Sequence, residues 1–217
     1  MKKFDWKALS LATKIQLIAS GALVLVVVGL LVWAIGFGGG QGNESGFMKV
    51  CWNADGTANF NDLSCSEPEE IVWERDRLPL VVSASETHSD EIRKAIGEVN
   101  SAAGCEVLRF PGVDAPVFDV AVSTDVPQIA GGPHLGGGTG FRRSTTHRIR
   151  AFVNIYAGSL EDPSIGIKVL MHEFGHVLGL AHDDWNGSIM RLGQRSGLEF
   201  VRFSDHDQDI LHQRYCR

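Results

Sequence analysis

The stretch that decides how this chain is organised reads His172-Glu173-Phe174-Gly175-His176-Val177-Leu178-Gly179-Leu180-Ala181-His182. Residues four apart share one face of a helix, so His172 and His176 can point at one metal ion from successive turns. Gly179 permits the helix to end in a left-handed turn, which lets the chain fold back and deliver His182 from outside the helix. Three imidazoles and one open position are typical of a catalytic zinc ion, whereas structural zinc sites are closed by four protein ligands.

Glu173 lies beside this predicted metal site and is the candidate general base. Zinc would polarise a water molecule and a substrate carbonyl, and Glu173 would take a proton from that water and pass it to the leaving amine. No serine or cysteine nucleophile is needed, because the metal itself stabilises the oxyanion. The alternative is an ordinary surface glutamate, and the two flanking histidines argue against it.

The N-terminal part of the chain predicts a membrane anchor. Residues 1–14 hold four lysines, and residues 15–37 are uncharged and long enough to cross about 30 Å of hydrocarbon as a helix. Because the lysines precede the apolar segment, the positive-inside rule places residues 1–14 in the cytoplasm and the remainder outside. A cleaved signal peptide, giving a secreted protein, is the alternative, but its apolar region is usually about 7–15 residues long. The glycine-rich residues 38–46 predict a flexible linker.

The charge distribution argues against a nucleic-acid partner. Residues 1–43 carry four lysines and one aspartate, a net charge of +3, while the whole chain carries −6, so residues 44–217 carry −9. An acidic globular part is unsuited to a phosphate backbone. We therefore expect no nucleic-acid partner, while the charge says little about the substrate. The membrane is the expected partner of the N-terminal helix, and we expect a monomer.

The cysteines predict disulfides in an exported domain. All four lie beyond the apolar segment, and none forms a C-x-x-C pair. Three pairings are open outside the cytoplasm. We favour a short local loop and a clasp on the chain end, namely Cys51–Cys65 and Cys105–Cys216.

Residues 47–70 are rich in turn formers and predict a turn-rich segment that contains a disulfide loop. Asn53, Asp55, Gly56 and Asp62 have the spacing of positions 3, 5, 6 and 12 of a calcium-binding loop. The flanking amphipathic helices of such a loop are missing, so bound calcium is the weaker alternative.

Residues 71–217 predict a domain of mixed α/β (α+β) class. The first helix would be capped by Ser85 or Thr87 and ended by Gly104, and the second would begin at Asp162, which a proline follows. The third would begin at Ser204, with an acidic residue three positions on completing a capping box. Strands are expected from their apolar patterns at residues 71–73, 78–84, 105–110, 117–122, 138–143 and 149–156.

A methionine, Met190, follows His182 by eight residues. This arrangement resembles the metzincin zinc endopeptidases, in which the three-histidine motif is followed by a methionine-bearing turn beneath the metal. Within that clan the chain is most similar to the matrixins (peptidase M10 type). The spacing from His182 to Met190 is short, Leu192 stands where astacins and serralysins have tyrosine, and residues 203–210 resemble the closing matrixin helix.

The resemblance implies a zincin-like fold, a twisted five-stranded mixed sheet with three helices, and a cleft with one catalytic zinc at its floor. It also implies endopeptidase activity, with Gly179 and Met190 supporting the metal site. An edge strand would bind substrate by strand addition, and a neighbouring loop would line the pocket. These candidate substrate contacts are Gly138, Thr139, Gly140, Phe141 and Leu192.

Two other functions stay open. One is a catalytically silent domain that holds zinc and binds a peptide or protein. The other is a zinc hydrolase of a non-peptide amide. Glu173, present together with all three histidines, favours a metalloendopeptidase that acts on extracytoplasmic proteins.

Overall fold

The described part of the chain contains eight β-strands and three α-helices. The structure is a computed structural model, and it describes residues 46–60, 65, 67–112, 117–126, 136–146, 148–183, 188–191 and 202–217. All of these lie in one compact unit, Gln41–Arg217. The elements are β1 (Lys49–Trp52), β2 (Ala58–Asn59), β3 (Glu69–Glu70), β4 (Leu80–Ala84), α1 (Ser89–Ala103), β5 (Leu108–Arg109), β6 (Val120–Val126), β7 (Gly137–Arg143), β8 (Ile149–Tyr156), α2 (Pro163–Val177) and α3 (Asp205–Tyr215).

The main sheet has five strands in the order β5-β4-β6-β8-β7. The first four strands run parallel, and β7 pairs antiparallel with β8 at the edge. Alternate residues of β4 and β8 are buried, which leaves one face of the sheet for the core and the other for solvent. The predicted mixed five-stranded sheet with three helices is confirmed.

The helices begin and end largely where their local chemistry requires. Asp162 caps α2 by accepting a hydrogen bond from the Ser164 N–H at 2.9 Å, and Ser204 forms the predicted capping box of α3. Gly104 ends α1 with φ of 80°. The predicted cap of α1 at Ser85 or Thr87 is wrong. The residue before the helix is His88, whose backbone dihedral angles lie in the left-handed region.

The strand predicted at residues 71–73 is also wrong. Ile71 and Trp73 are buried, but they lie against the end of α2 and are not part of the main sheet. The Ile71 N–H donates to the Met48 carbonyl at 3.0 Å, and the Trp73 indole donates to the Val177 carbonyl at 2.6 Å. This apolar segment therefore covers the end of a helix. Its composition is the same as that of a buried strand, so the sequence pattern does not distinguish the two.

The strand β6 extends beyond the end that its apolar pattern predicts, and polar residues form the extension. The strand predicted at residues 117–122 is observed in part as β6, which begins at Val120, continues to Val126 and pairs there with Tyr156. The strand predicted at residues 105–110 is limited to Leu108–Arg109. Parallel pairing with β8 satisfies the backbone of Ser123, so hydrogen bonding rather than apolar alternation extends β6.

Residues 47–70 hold a second, small sheet in the order β2-β1-β3. The segment packs into the same core, since Val50 is fully buried and the Met48 N–H donates to the Gly179 carbonyl at 2.7 Å. Both favoured disulfides are present, Cys51–Cys65 in this segment and Cys105–Cys216 between the ends of α1 and α3. Asp62 of the calcium alternative lies outside the described residues, so that alternative stays a prediction.

Within the described ranges, no helix has the length and apolar character needed to cross a membrane. The anchor predicted at residues 15–37 and the linker at residues 38–46, apart from Gly46, lie outside those ranges.

Candidate metal centre

Three histidine rings converge at the end of α2. His172 and His176 come from successive turns of the helix, and His182 follows the turn after it. Their Nε2 atoms form a triangle with sides of 3.1 Å (His172–His176), 3.1 Å (His176–His182) and 3.3 Å (His172–His182). These three residues are the one group within the described residues whose ligand atoms are close enough to share a metal ion.

Backbone carbonyls fix which nitrogen of each of two rings carries a lone pair. The His172 Nδ1 lies 2.7 Å from the Ile189 carbonyl oxygen, and the His176 Nδ1 lies 2.8 Å from that of Leu180. A carbonyl oxygen only accepts, so each Nδ1 carries the hydrogen and each neutral ring presents a bare Nε2. Two lone pairs 3.1 Å apart repel unless a cation lies between them.

The residues present fit zinc. Four-coordinate zinc with Zn–N bonds of about 2.0–2.1 Å places its ligand nitrogens about 3.3–3.4 Å apart. The observed separations of 3.1–3.3 Å are close to that value. The carbonyl contacts at Nδ1 are also the outer-shell partners that orient histidine ligands in metal sites.

The surroundings keep two of these rings neutral. Burial lowers the pKa of His176 well below its usual value, and repulsion from His172 and His182 adds to the effect. Partial burial, followed by repulsion from His172, lowers the pKa of His182 to about 4. Both rings are therefore unprotonated at neutral pH, which is the form that binds a metal.

Glu173 is buried although it is ionisable, with 4% of its surface exposed. Burial raises the pKa of its carboxyl group, and the electrostatic influence of the nearby His172 and a hydrogen bond from Thr139 oppose that rise. The Thr139 hydroxyl lies 2.8 Å from Glu173 Oε2 and 3.1 Å from the Glu173 carbonyl oxygen. The carboxylate is thus held from one side by β7, next to the histidine cluster.

Gly179 and Met190 occupy the positions that the sequence predicts. Gly179 has φ of 87°, and a Cβ there would collide with the Ile71 carbonyl, so both the turn and the close packing require glycine. Met190 is fully buried against Gly175, in the helical turn between the two histidines of α2. The neighbouring Ile189 supplies the carbonyl that orients His172.

The predicted substrate contacts divide into two groups. Gly138, Thr139, Gly140 and Phe141 lie on the edge strand β7, as expected. The side chain of Thr139 is directed to Glu173, and Phe141 is buried, so these two side chains face the protein interior. Leu192 lies outside the described residues.

Sequence reasoning missed a buried network under the methionine turn. The Ser188 hydroxyl donates to Asp207 Oδ2 at 2.9 Å and accepts from the Met190 N–H at 2.9 Å. Asp207 also completes the cap of α3 through Ser204. The cap motif was visible in the sequence, but nothing in it indicated that the same carboxylate ties α3 to the metal site.

The family comparison agrees with this geometry. The family model of the matrixins (Peptidase_M10) matches residues 130–216, which include the edge strand, the three histidines, Met190 and α3. The resemblance to the matrixins is therefore confirmed for this part of the chain, which is similar to a family of metallopeptidases.

Two other comparisons add little beyond this match. No curated protein matches the chain. The crystal structure of archaemetzincin from Methanopyrus kandleri is similar at 14% identity with a TM-score of 0.42, covering 62% of this chain and 93% of its own. The GM1-bound form of the ECX AB5 holotoxin is similar at 14% identity with a TM-score of 0.41, covering 79% and 89%.

Proposed function

We propose that this protein is a zinc-dependent metalloendopeptidase that cleaves peptide bonds of extracytoplasmic proteins. The observation that carries the proposal is the triangle of Nε2 atoms, 3.1–3.3 Å on a side, next to the buried carboxylate of Glu173. Zinc held by His172, His176 and His182 supplies a Lewis acid for the substrate carbonyl and for the attacking water.

Glu173 moves the proton in this proposal. Its carboxylate accepts a proton from the attacking water and returns it to the nitrogen of the leaving amine as the peptide bond breaks. Burial raises the pKa of the carboxyl group, which makes the carboxylate a stronger base. The Thr139 hydroxyl occupies Oε2 and so holds the carboxylate in one orientation.

The direct test replaces Glu173 in the full-length chain, purified in detergent and loaded with zinc. Glu173→Ala is expected to retain zinc and to lower kcat/KM on a quenched-peptide library by about 10²–10⁴-fold, because proton transfer is lost while the ligands stay. Zinc content and cleavage are measured on the same sample. A variant that cuts as fast as the parent excludes Glu173 as the base. A parent that binds peptides but cuts none supports the binding-domain alternative.

A second test uses two glycines, one in β7 and one in α1. A Cβ at Gly137 would lie 3.0 Å from Glu173 Cγ and 2.9 Å from the Asn154 carbonyl oxygen, whereas a Cβ at Gly97, an exposed position of α1, would meet nothing within 4 Å. Gly137→Ala should displace the carboxylate and lower kcat by roughly 10–100-fold, since small misplacements of a catalytic group are costly. Gly97→Ala is the control and should cut at the parental rate. Equal rates for the two variants would contradict the assigned position of Glu173.

We also propose that the domain lies outside the cytoplasm on a single membrane anchor formed by residues 15–37. The apolar length of that segment and the lysines before it support this topology, and the two disulfides are typical of an oxidising compartment. Alkaline carbonate extraction of membranes tests the anchor. The full-length chain is expected in the pellet, and release of the intact chain would contradict the anchor.

A further inference from the structure

The outer edge of β7 is partly occupied by the chain's own N-terminal hairpin, residues 49–59. The hairpin consists of β1, a turn at residues 53–57, and β2. The Arg143 N–H donates to the Gly56 carbonyl at 2.7 Å, and Thr57 forms an antiparallel bridge with Arg142. The C-terminal end of the edge strand is therefore already paired.

The remainder of this edge is free within the described part of the chain. In an antiparallel pair, backbone groups point alternately toward and away from the partner strand. The Tyr156 N–H donates to the Gly136 carbonyl, which places Gly136, and with it Gly138 and Gly140, toward β8. Gly137 and Thr139 consequently present their N–H and C=O groups outward, where no described residue pairs with them.

The hairpin is rigid enough to act as a stop. The Asn53 N–H donates to the Thr57 carbonyl at 2.9 Å, and Asp55 accepts from both the backbone and the hydroxyl of Thr57 at 3.0 and 2.6 Å. The Cys51–Cys65 disulfide anchors β1. The turn therefore makes its own hydrogen bonds and does not need a substrate to order it.

Side-chain contacts also join β7 to β1 and β3. The Arg143 guanidinium donates to both carboxylate oxygens of Glu69 at 2.7 and 3.0 Å and stacks over the ring of Trp52 at 4.6 Å. The Trp52 indole also donates to Glu69 at 3.1 Å. One arginine of the edge strand is thus bound to both β1 and β3.

Glu173 marks the level of the reacting bond along this edge. Its carboxylate contacts Thr139, and its Cγ lies beneath Gly137. From Thr139 to the blocked position at Arg142 there are three strand steps, on the order of 10 Å at about 3.3 Å per residue. A strand laid on the edge therefore has room for about three residues on that side of the reacting bond.

We propose that the hairpin at residues 49–59 is a specificity element that limits the substrate to about three bound residues on the N-terminal side of the cleaved bond. This inference rests on the proposed peptidase function. The added strand runs antiparallel to β7, as the hairpin itself does at Thr57, because antiparallel pairing is slightly more stable per residue. The N-terminal side of the substrate then points to the closed end at Arg143.

The probes are peptides that end in a C-terminal hydroxamate. This group chelates zinc, so every residue of such a peptide extends on the N-terminal side of the metal. Their affinity for the zinc-loaded, full-length Glu173→Gln protein is measured by fluorescence anisotropy for lengths of about one to six residues. Binding to this variant does not require turnover. When the hairpin is unchanged, we expect each of the first three peptide residues to improve affinity by about 2–10-fold, the effect of one added hydrogen bond. We expect the fourth to sixth residues to change it by less than about twofold.

Gly56 provides the variant that opens the edge. Its φ is 81°, and a Cβ there would collide with the Arg143 carbonyl, so Gly56→Val should push the turn away from β7. The fourth and fifth residues are then expected to improve affinity by at least about fivefold in total. Faster hydrogen exchange at the Arg143 amide reports the opening independently of binding. Gly97→Ala, on an exposed helix position where a Cβ meets nothing within 4 Å, is the matched control and keeps the parental length profile.

Glu69→Gln serves as a second, milder variant, because it weakens the arginine contact without changing the turn. A length profile in which affinity continues to rise beyond the third residue in the parental background would overturn the proposal. So would an unchanged profile in both variants despite faster exchange at Arg143, or the absence of binding at every length. Hairpin-dependent binding without any cleavage would refute the proposed function and leave the role of the hairpin standing.

Discussion

Two clusters of polar side chains in this domain differ in whether their members attract or repel one another. At the end of α2, three histidine nitrogens face one another at 3.1–3.3 Å. Directly before β6, Asp119 accepts hydrogen bonds from Arg77, from Arg148 at 3.2 Å and from the Val81 N–H at 3.2 Å. The first cluster brings like groups together, and the second brings opposite charges together.

The contrast separates a cluster that needs a ligand from one that stabilises the fold. Burial by itself would raise the pKa of Asp119, but the hydrogen bonds from Val81, Arg77 and Arg148 outweigh it and hold the pKa below its usual value. Nothing comparable offsets the repulsion within the histidine cluster, where burial and mutual repulsion lower the pKa of His176 and His182. Only the first cluster therefore has the like groups that a bound cation would balance.

The largest expected effect comes from breaking the histidine cluster. Zinc at about a thousand times its dissociation constant should raise the free energy of unfolding of the parent by about 4 kcal/mol. His176→Ala removes a ligand, so the added stability and the bound zinc should both be lost. Metal content and denaturant unfolding, with and without zinc, measure this. Equal stabilisation of parent and variant by zinc would show that His176 is not a ligand.

The next effect comes from breaking the matched cluster. Asp119→Asn leaves Arg77 partly buried without its counter-charge and should lower the free energy of unfolding by about 2 kcal/mol. Zinc content should not change. Glu106→Gln is the control, because its partner Arg109 is solvent-exposed and such pairs contribute less than about 0.5 kcal/mol. If the two substitutions cost the same, Asp119 is no more than a surface ion pair.

The smallest effect is a difference in pH windows in the metal-free protein. The unfolded chain binds protons at its histidines near pH 6.5, while the folded chain resists protonation at His182 until about pH 4. The contribution of His182 to the free energy of unfolding is therefore fully present above about pH 6.5 and is lost as the pH falls toward about 4. The pKa of Asp119 is depressed, so its contribution is present above about pH 3.9 and is lost below that value.

Urea unfolding in chelator from about pH 8 to about pH 3 separates the two windows. His182→Gln should flatten the upper window, and Asp119→Asn should flatten the lower one. A single transition that neither substitution alters would mean that the two clusters do not differ in this way.

Local spacing was sufficient for much of the metal site. Helical periodicity placed His172 and His176 on one face, and a glycine at position 179 predicted the left-handed turn that returns His182. Short-range patterns also predicted the Asp162 cap and the α3 capping box. They failed at residues 71–73, because an apolar run that is buried under a helix has the same composition as one buried in a sheet.

The sequence by itself therefore determined the candidate ligands, the candidate base and the helix that carries most of them, since these depend on contacts within a few residues. Only the tertiary structure decided what surrounds them. The Thr139 hydroxyl on Glu173, the Ile189 carbonyl on His172 and the Gly56 turn on β7 join residues 17 to 87 positions apart. No local pattern records such a contact, because it depends on how the sheet, the helix and the hairpin pack against one another.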